Sequence, residues 1–129
     1  MNFQLSEGQQ LLVSTARDFL QRHCPPSVMA ESVASARGFS TELWKEISVL
    51  GWPGLLVPAE YGGSGGTMVD VILLLEEMGR ACFPSPYVQS AVAATSLLLG
   101  AAGSARRERL LAALAGGERI CVLALTEES

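Results

Sequence analysis

At 129 residues the chain has room for one domain with a real core and little beyond it. Apolar residues make up 49% and charged residues 17%, with a mean hydropathy of +0.31; this excludes disorder and asks for a large core or a sizeable protein interface. A formal charge of −4 and a pI near 4.9 exclude a nucleic-acid partner, and the cluster of Arg106, Arg107 and Arg109, broken by Glu108, reads as a solvated helix face.

No secretory signal opens the chain, since Asn2, Gln4 and Glu7 precede any apolar run. Ser6 and Gln9 form a capping box for a first helix, along which Leu12, Ala16 and Phe19 share a face to about residue 22. Pro25 and Pro26 stop it, and Ser27 is the expected cap of a short second helix running to about residue 36. Ser40 or Thr41 starts a third, with Leu43, Trp44, Ile47 and Leu50 at helical spacing. Gly51 closes it in the left-handed position, with Pro53 just beyond.

Residues 51–66 then read as a loop made of turn residues. So many glycines imply several positive-φ positions or a close approach of backbone to its neighbours. The loop is no phosphate cradle, because it follows a helix and lacks the Gly-Lys-Ser/Thr ending. Thr67 is the expected cap of a fourth helix, with Asp70 in its first turn. Val69, Val71, Ile72, Leu73, Leu74, Leu75 and Met78 cover nearly its whole circumference and predict burial on most sides.

Gly79 and the Pro84-Ser85-Pro86 segment separate it from a fifth helix, from Tyr87 to about residue 99. Its first half carries Ser90, Ala91, Ala93, Ala94 and Thr95, small residues that let another helix or a ligand approach closely. Ser104 caps a sixth helix to about residue 115, which Gly116 and Gly117 stop. Residues 120–125 form an apolar, β-leaning run, the pattern of a buried strand. A lone strand lacks a pairing partner, so the chain reads as the front part of a longer protein. The expected class is all-α: a bundle of about six helices over residues 1–117, followed over 118–129 by the first strand of a β-domain that lies elsewhere.

Signals of conventional catalysis are few. His23, at a helix end, reads as a capping histidine, and pairing with Cys24 is disfavoured because sequence neighbours rarely face one substrate together. Glu76 pairs with Arg80 at i,i+4, while Glu77 is expected to face water or a partner. Cys24, Cys82 and Cys121 are scattered with no CxxC pair, arguing against a disulfide framework or a metal site. All three read as small core hydrophobes in a reducing compartment. No run reaches the roughly 18 apolar residues of a membrane span. The residues alone describe a soluble, cytoplasmic helical domain that shapes or borders a site, and they name no reaction.

An ordered set of motifs goes further. They are the Leu-Ser-Glu…Ala-Arg-Asp-Phe opening over residues 3–19; Leu43-Trp44-Lys45-Glu46 with Leu50-Gly51-Trp52; Val57-Pro58-Ala59-Glu60-Tyr61-Gly62-Gly63; Leu75-Glu76-Glu77-Met78-Gly79-Arg80; and Gly117-Glu118 with Ala124-Leu125-Thr126-Glu127. In this order the chain closely resembles the N-terminal helical domain of the acyl-CoA dehydrogenases, FAD-dependent enzymes that oxidise the Cα–Cβ bond of acyl-CoA thioesters, as in fatty-acid β-oxidation.

The resemblance implies a parent subunit with a middle β-domain and a C-terminal helical domain, the flavin lying between those two. It implies an acyl-CoA substrate, an electron-transferring flavoprotein or similar acceptor, and a homo- or hetero-oligomer. Leu125 and Thr126 would then reach the flavin, although Glu128 stands where the family usually has proline. Pro86, Tyr87, Ser90 and Ala94 would line the end of the acyl tunnel; for Ser90 and Ala94 tight helix packing is the equal alternative. The catalytic glutamate of the family falls outside this chain, and neither Glu76 nor Glu77 replaces it. The alternative reading is a partner subunit of the same fold without chemistry of its own. A third is a relative acting on a carrier-protein thioester or a non-thioester substrate.

Overall fold

The computed structural model describes residues 4–126. The helices are α1 (Glu7–His23), α2 (Pro26–Ala34), α3 (Thr41–Val49), α4 (Met68–Arg80), a π-helix (Val88–Ala94) continuing directly into α5 (Thr95–Gly100), and α6 (Ala105–Ala115). Two 3-10 turns, Trp52–Gly54 and Ala59–Tyr61, lie in the glycine-rich loop. The all-α class read from the sequence is the class observed. Two compact units form: the described residues of Met1–Ser40 with Met68–Pro84, and those of Thr41–Thr67 with Ser85–Ser129.

In the first unit α1 and α4 pack side by side. The capping box is present as expected: Ser6 Oγ accepts from the Gln9 amide at 3.2 Å and Gln9 Oε1 accepts from the Ser6 amide at 3.0 Å. Gln9 Nε2 also donates to Asp70 Oδ1 at 2.9 Å, tying the start of α1 to the first turn of α4. Ala16 and Leu20 of α1 and Val71, Leu74 and Met78 of α4 are buried.

Two expectations fail here. The α2 start is set by Pro25 and Pro26, with no side-chain cap, so Ser27 does not serve; proline at the first helical position supplies the right φ and leaves one orphan amide fewer. Nor is α4 buried on most sides. Val71, Leu74, Glu77 and Met78 make its buried face, whereas Met68, Val69 and Ile72 are 47–57% exposed. An apolar circumference states what a helix can bury, and among the described residues only one face finds cover.

In the second unit Gly51 ends α3 with φ +77°, the left-handed conformation foreseen for it. The loop folds back on itself: the Ser64, Gly65 and Gly66 amides donate to the carbonyls of Gly54, Val57 and Leu55 at 2.7–2.9 Å. Val57, Leu111 and Ala115 form a buried cluster against which Tyr61, Leu98 and Leu99 pack. Arg107 does more than face solvent: its Nε donates to the Leu98 carbonyl at 2.6 Å and helps close the end of α5.

The fifth helix opens as a π-helix instead of the regular α-helix expected. Thr95 explains the wider register, because its amide and its hydroxyl both donate to the carbonyl of Ser90, five residues back. The strand expected over residues 120–125 is not formed among the described residues, which hold no ladder there. Strand hydrogen bonds need a second strand, and the described residues offer none.

Candidate functional site

The residues singled out at the start of the fifth helix come together on one buried face in the second unit. Tyr87, Ser90, Ala91 and Ala94 recur at i, i+3, i+4 and i+7 and are at most 3% exposed, with Pro86 half-buried ahead of them. The Tyr87 hydroxyl donates to the Trp52 carbonyl at 2.9 Å, and burial pushes its pKa well above the ordinary phenol value. Ser90 Oγ accepts from the Cys121 amide at 3.1 Å. The polar tips of both side chains are thus engaged by backbone. The face is otherwise built of small apolar side chains and is turned into the second unit.

Leu125 is 82% exposed and Thr126 is exposed too, both on a stretch without regular structure. That exposure leaves their backbone groups and the Thr126 hydroxyl open to solvent in this chain. Glu127 and Glu128 lie outside the described residues.

The first unit holds the strongest electrostatic feature. Arg17 Nε and Nη2 donate to the two Glu77 carboxylate oxygens at 3.0 and 2.7 Å, a forked pair, with Arg80 Nε 3.6 Å away. The Glu77 side chain is only 4% exposed and pairs within the chain, which corrects the expectation that it faces water or a partner. Its carboxyl is held below the usual range by the Arg17 hydrogen bonds first, against an opposing push from burial, with the Arg17 and Arg80 charges assisting. A general base needs a pKa near the working pH, so this carboxylate is a structural anion and no proton carrier. Glu76 is exposed and paired with Arg80, as its spacing indicated. Arg17 was missed in the sequence; sixty residues separate it from Glu77, and no local pattern links them.

The pair predicts a pH dependence. The folded pKa of Glu77 lies below its unfolded value of about 4.3. Its stabilisation is therefore complete above that value and is lost as the pH falls through the folded pKa. Thermal unfolding followed from pH 7 down to pH 3 should show a smaller drop in melting temperature for Glu77→Gln than for the parent chain. Parallel curves would remove Glu77 from the acid transition.

A cleft of about 680 Å³ opens in the same unit, lined by Leu20, Cys24, Pro25, Met29, Ala81 and Cys82 among others. Cys24 is buried, and burial, then the neighbouring Cys82, raises its thiol pKa. Cys82 is exposed and adopts φ +49°, so it is no core residue: α4 ends just before it and the chain must turn there in a conformation few side chains favour. The His23 ring stacks on Phe19, with centroids 4.5 Å apart, at the last turn of α1. Among the described residues no three His, Cys, Asp or Glu side chains gather as metal donors, and no helix is long and apolar enough to cross a membrane.

Against known proteins, residues 6–118 match the family model described as acyl-CoA dehydrogenase, N-terminal domain. The chain is 33% identical over 120 residues to "Acyl-CoA dehydrogenase IpdE2" of Mycobacterium tuberculosis, covering 92% of this chain and 37% of that protein. Among solved structures, a variant of the Tcur3481–Tcur3483 steroid ACAD matches with a TM-score of 0.84 and 29% identity, covering 95% of this chain and 34% of that one. The ChsE4–ChsE5 complex of Mycobacterium tuberculosis matches in fold with a TM-score of 0.88 at 24% identity, over 99% of this chain and 35% of that one. The chain thus spans between a third and two fifths of the length of these relatives.

Proposed function

The chain belongs to the acyl-CoA dehydrogenase family through its N-terminal domain, and from that premise we propose that it is the front portion of an FAD-dependent dehydrogenase of acyl-CoA thioesters. The observation that carries this reading is the family match running through nearly every element of the described fold. Within it the domain's task is to wall the acyl pocket and exclude water. Pro86, Tyr87, Ser90 and Ala94 supply the closed end of that wall. The small side chains of Ser90 and Ala94 beside Tyr87, with the hydroxyls of Tyr87 and Ser90 already engaged by backbone, support a surface that sorts acyl groups by bulk and does not react with them.

FAD would supply the ring that accepts the hydride from Cβ, with Leu125 and Thr126 touching one edge. The base for the Cα proton would be supplied by a part of the parent protein other than this domain, in which Glu77 is already committed to Arg17 and Arg80. An electron-transferring flavoprotein or similar acceptor would be the parent protein's redox partner. Three free cysteines fit a cytoplasmic setting.

Anaerobic addition of acyl-CoAs of graded length to the full-length protein tests the proposal. Bleaching of the flavin absorbance by at least one of them is expected. A second reading, a non-catalytic subunit of a hetero-oligomer, draws support from the paired names of both solved neighbours. It would be favoured if the full-length protein carried no flavin alone and bleaching required a co-expressed partner.

A further inference from the structure

We propose that Ser90 is a positioning residue whose buried hydroxyl sets the direction in which residues 121–126 run on from Cys121, and so where Thr126 is delivered. The second half of that statement rests on the reading above, in which Thr126 meets the flavin. The first half rests on geometry alone.

Ser90 is held from both sides along the backbone. Its amide donates to the Pro86 carbonyl at 2.9 Å, and its own carbonyl receives the amide and hydroxyl of Thr95. Both Ser90 and Thr95 are at most 1% exposed. The π register therefore fixes a hydroxyl that cannot wander, and that hydroxyl accepts from the amide of Cys121, thirty-one residues on.

Upstream the segment is also tied. Trp44 Nε1 donates to the Gly117 carbonyl at 2.9 Å, and the Glu118 and Arg119 amides donate to the Ala113 carbonyl at 3.0 and 3.2 Å. Among the described residues Cys121 is the last position of the segment tied by a hydrogen bond. From there to Thr126 is a lever of five residues, spanning up to about 17 Å when extended. At that full extension a 10° change of direction at Cys121 would move Thr126 by about 3 Å, enough to break any hydrogen bond it makes. The anchor is a single side chain, and it belongs to the helix that also walls the proposed pocket. One residue thereby couples the acyl end of the site to its cofactor edge.

The test compares Ser90→Ala and Ser90→Cys, the latter close in volume but a weak acceptor. Amide hydrogen exchange at Cys121 should quicken about tenfold in both, as expected for loss of one hydrogen bond. Exchange in α3 and α6 should stay as in the parent chain, and helical circular dichroism should be retained. In the full-length protein both variants should weaken FAD retention about as much as Thr126→Ala does, and Ser90→Thr, if it folds, should restore it. Unchanged exchange at Cys121 would overturn the proposal whatever the flavin does. Faster exchange with FAD weakened by Thr126→Ala but not by Ser90→Ala would overturn it as well. If neither Thr126→Ala nor Ser90→Ala affects FAD, the reading of Thr126 as a flavin contact falls instead, while faster exchange upholds the tether.

Discussion

Tyr87→Ala should cost the second unit about 3–5 kcal/mol, the loss typical of truncating a buried aromatic to a methyl. The ring is 1% exposed, so its removal leaves a cavity that the flanking helix cannot readily collapse into. Tyr87→Phe separates volume from the hydroxyl. The Trp52 carbonyl would keep its second donor, the Leu55 amide at 3.1 Å, so no buried group is orphaned. That variant should lose only about 0.5–1.5 kcal/mol, the net value of one hydrogen bond. Denaturant unfolding monitored by helical circular dichroism measures both.

The same pair of variants weighs the proposed pocket in the full-length enzyme. Tyr87→Phe keeps the wall in place and should leave the preference among acyl-CoAs unaltered. Tyr87→Ala opens room at the closed end, and one methylene in an apolar pocket is worth roughly 1–3 kcal/mol of discrimination. The optimum of kcat/KM should then move to a longer or bulkier acyl group with flavin content maintained. A uniform fall across all acyl-CoAs would assign Tyr87 to packing alone, and the wall would need other residues.

What could be read in the sequence was whatever is local along the chain. Ser6 and Gln9 sit three apart, and their capping box follows from chemistry contained within one helical turn. Gly51 declares a helix end for the same reason. The features that escaped depend on tertiary partners. Glu77 carried no mark of burial, because its partner Arg17 lies on another helix and the pairing emerges only when α1 meets α4. The covering of α4 was over-read, since apolar residues on every side show an appetite for burial but not what satisfies it. At residues 120–125 the β-leaning pattern was clear, yet a strand is a property of two segments and only one lies among the described residues. The π-helix had a faint trace in Thr95, five residues after Ser90; a threonine at that spacing is too common to announce it. For the site, the small-residue face of Ser90 and Ala94 is legible in the residues alone, Pro86 and Tyr87 join it only through the resemblance, and the hydroxyl partners Trp52 and Cys121 do not follow from spacing.

Gly63→Ala should be far more damaging than alanine at its neighbour Gly62. The glycine-rich loop offered two explanations for its composition, positive φ or close approach, and the Gly62-Gly63 dipeptide uses one of each. Gly62 has φ +84° with open space around a would-be Cβ, so alanine there pays only the left-handed conformation, about 1 kcal/mol. At Gly63 a Cβ would sit 1.9 Å from the Val57 carbonyl oxygen and 2.5 Å from its carbonyl carbon and Cβ. Val57 is fully buried in the cluster with Leu111 and Ala115, so it cannot step aside. Nor can the loop withdraw cheaply, because the Gly65 amide donates to that same Val57 carbonyl at 2.8 Å and the Ser64 amide to Gly54 at 2.9 Å. Relief requires breaking these bonds or unpacking Val57, at a cost of about 3 kcal/mol or more. Gly79→Ala provides the opposite sign. That glycine lies inside α4 with nothing within 4 Å, and alanine should stabilise by up to about 1 kcal/mol. Unfolding free energies ordered Gly79→Ala, Gly62→Ala, Gly63→Ala from most to least stable are therefore expected. If Gly63→Ala proved no worse than Gly62→Ala, the tight approach of the loop to Val57 would be wrong. The seat of Tyr61, which packs on the Val57 cluster, would then have to be redrawn with it.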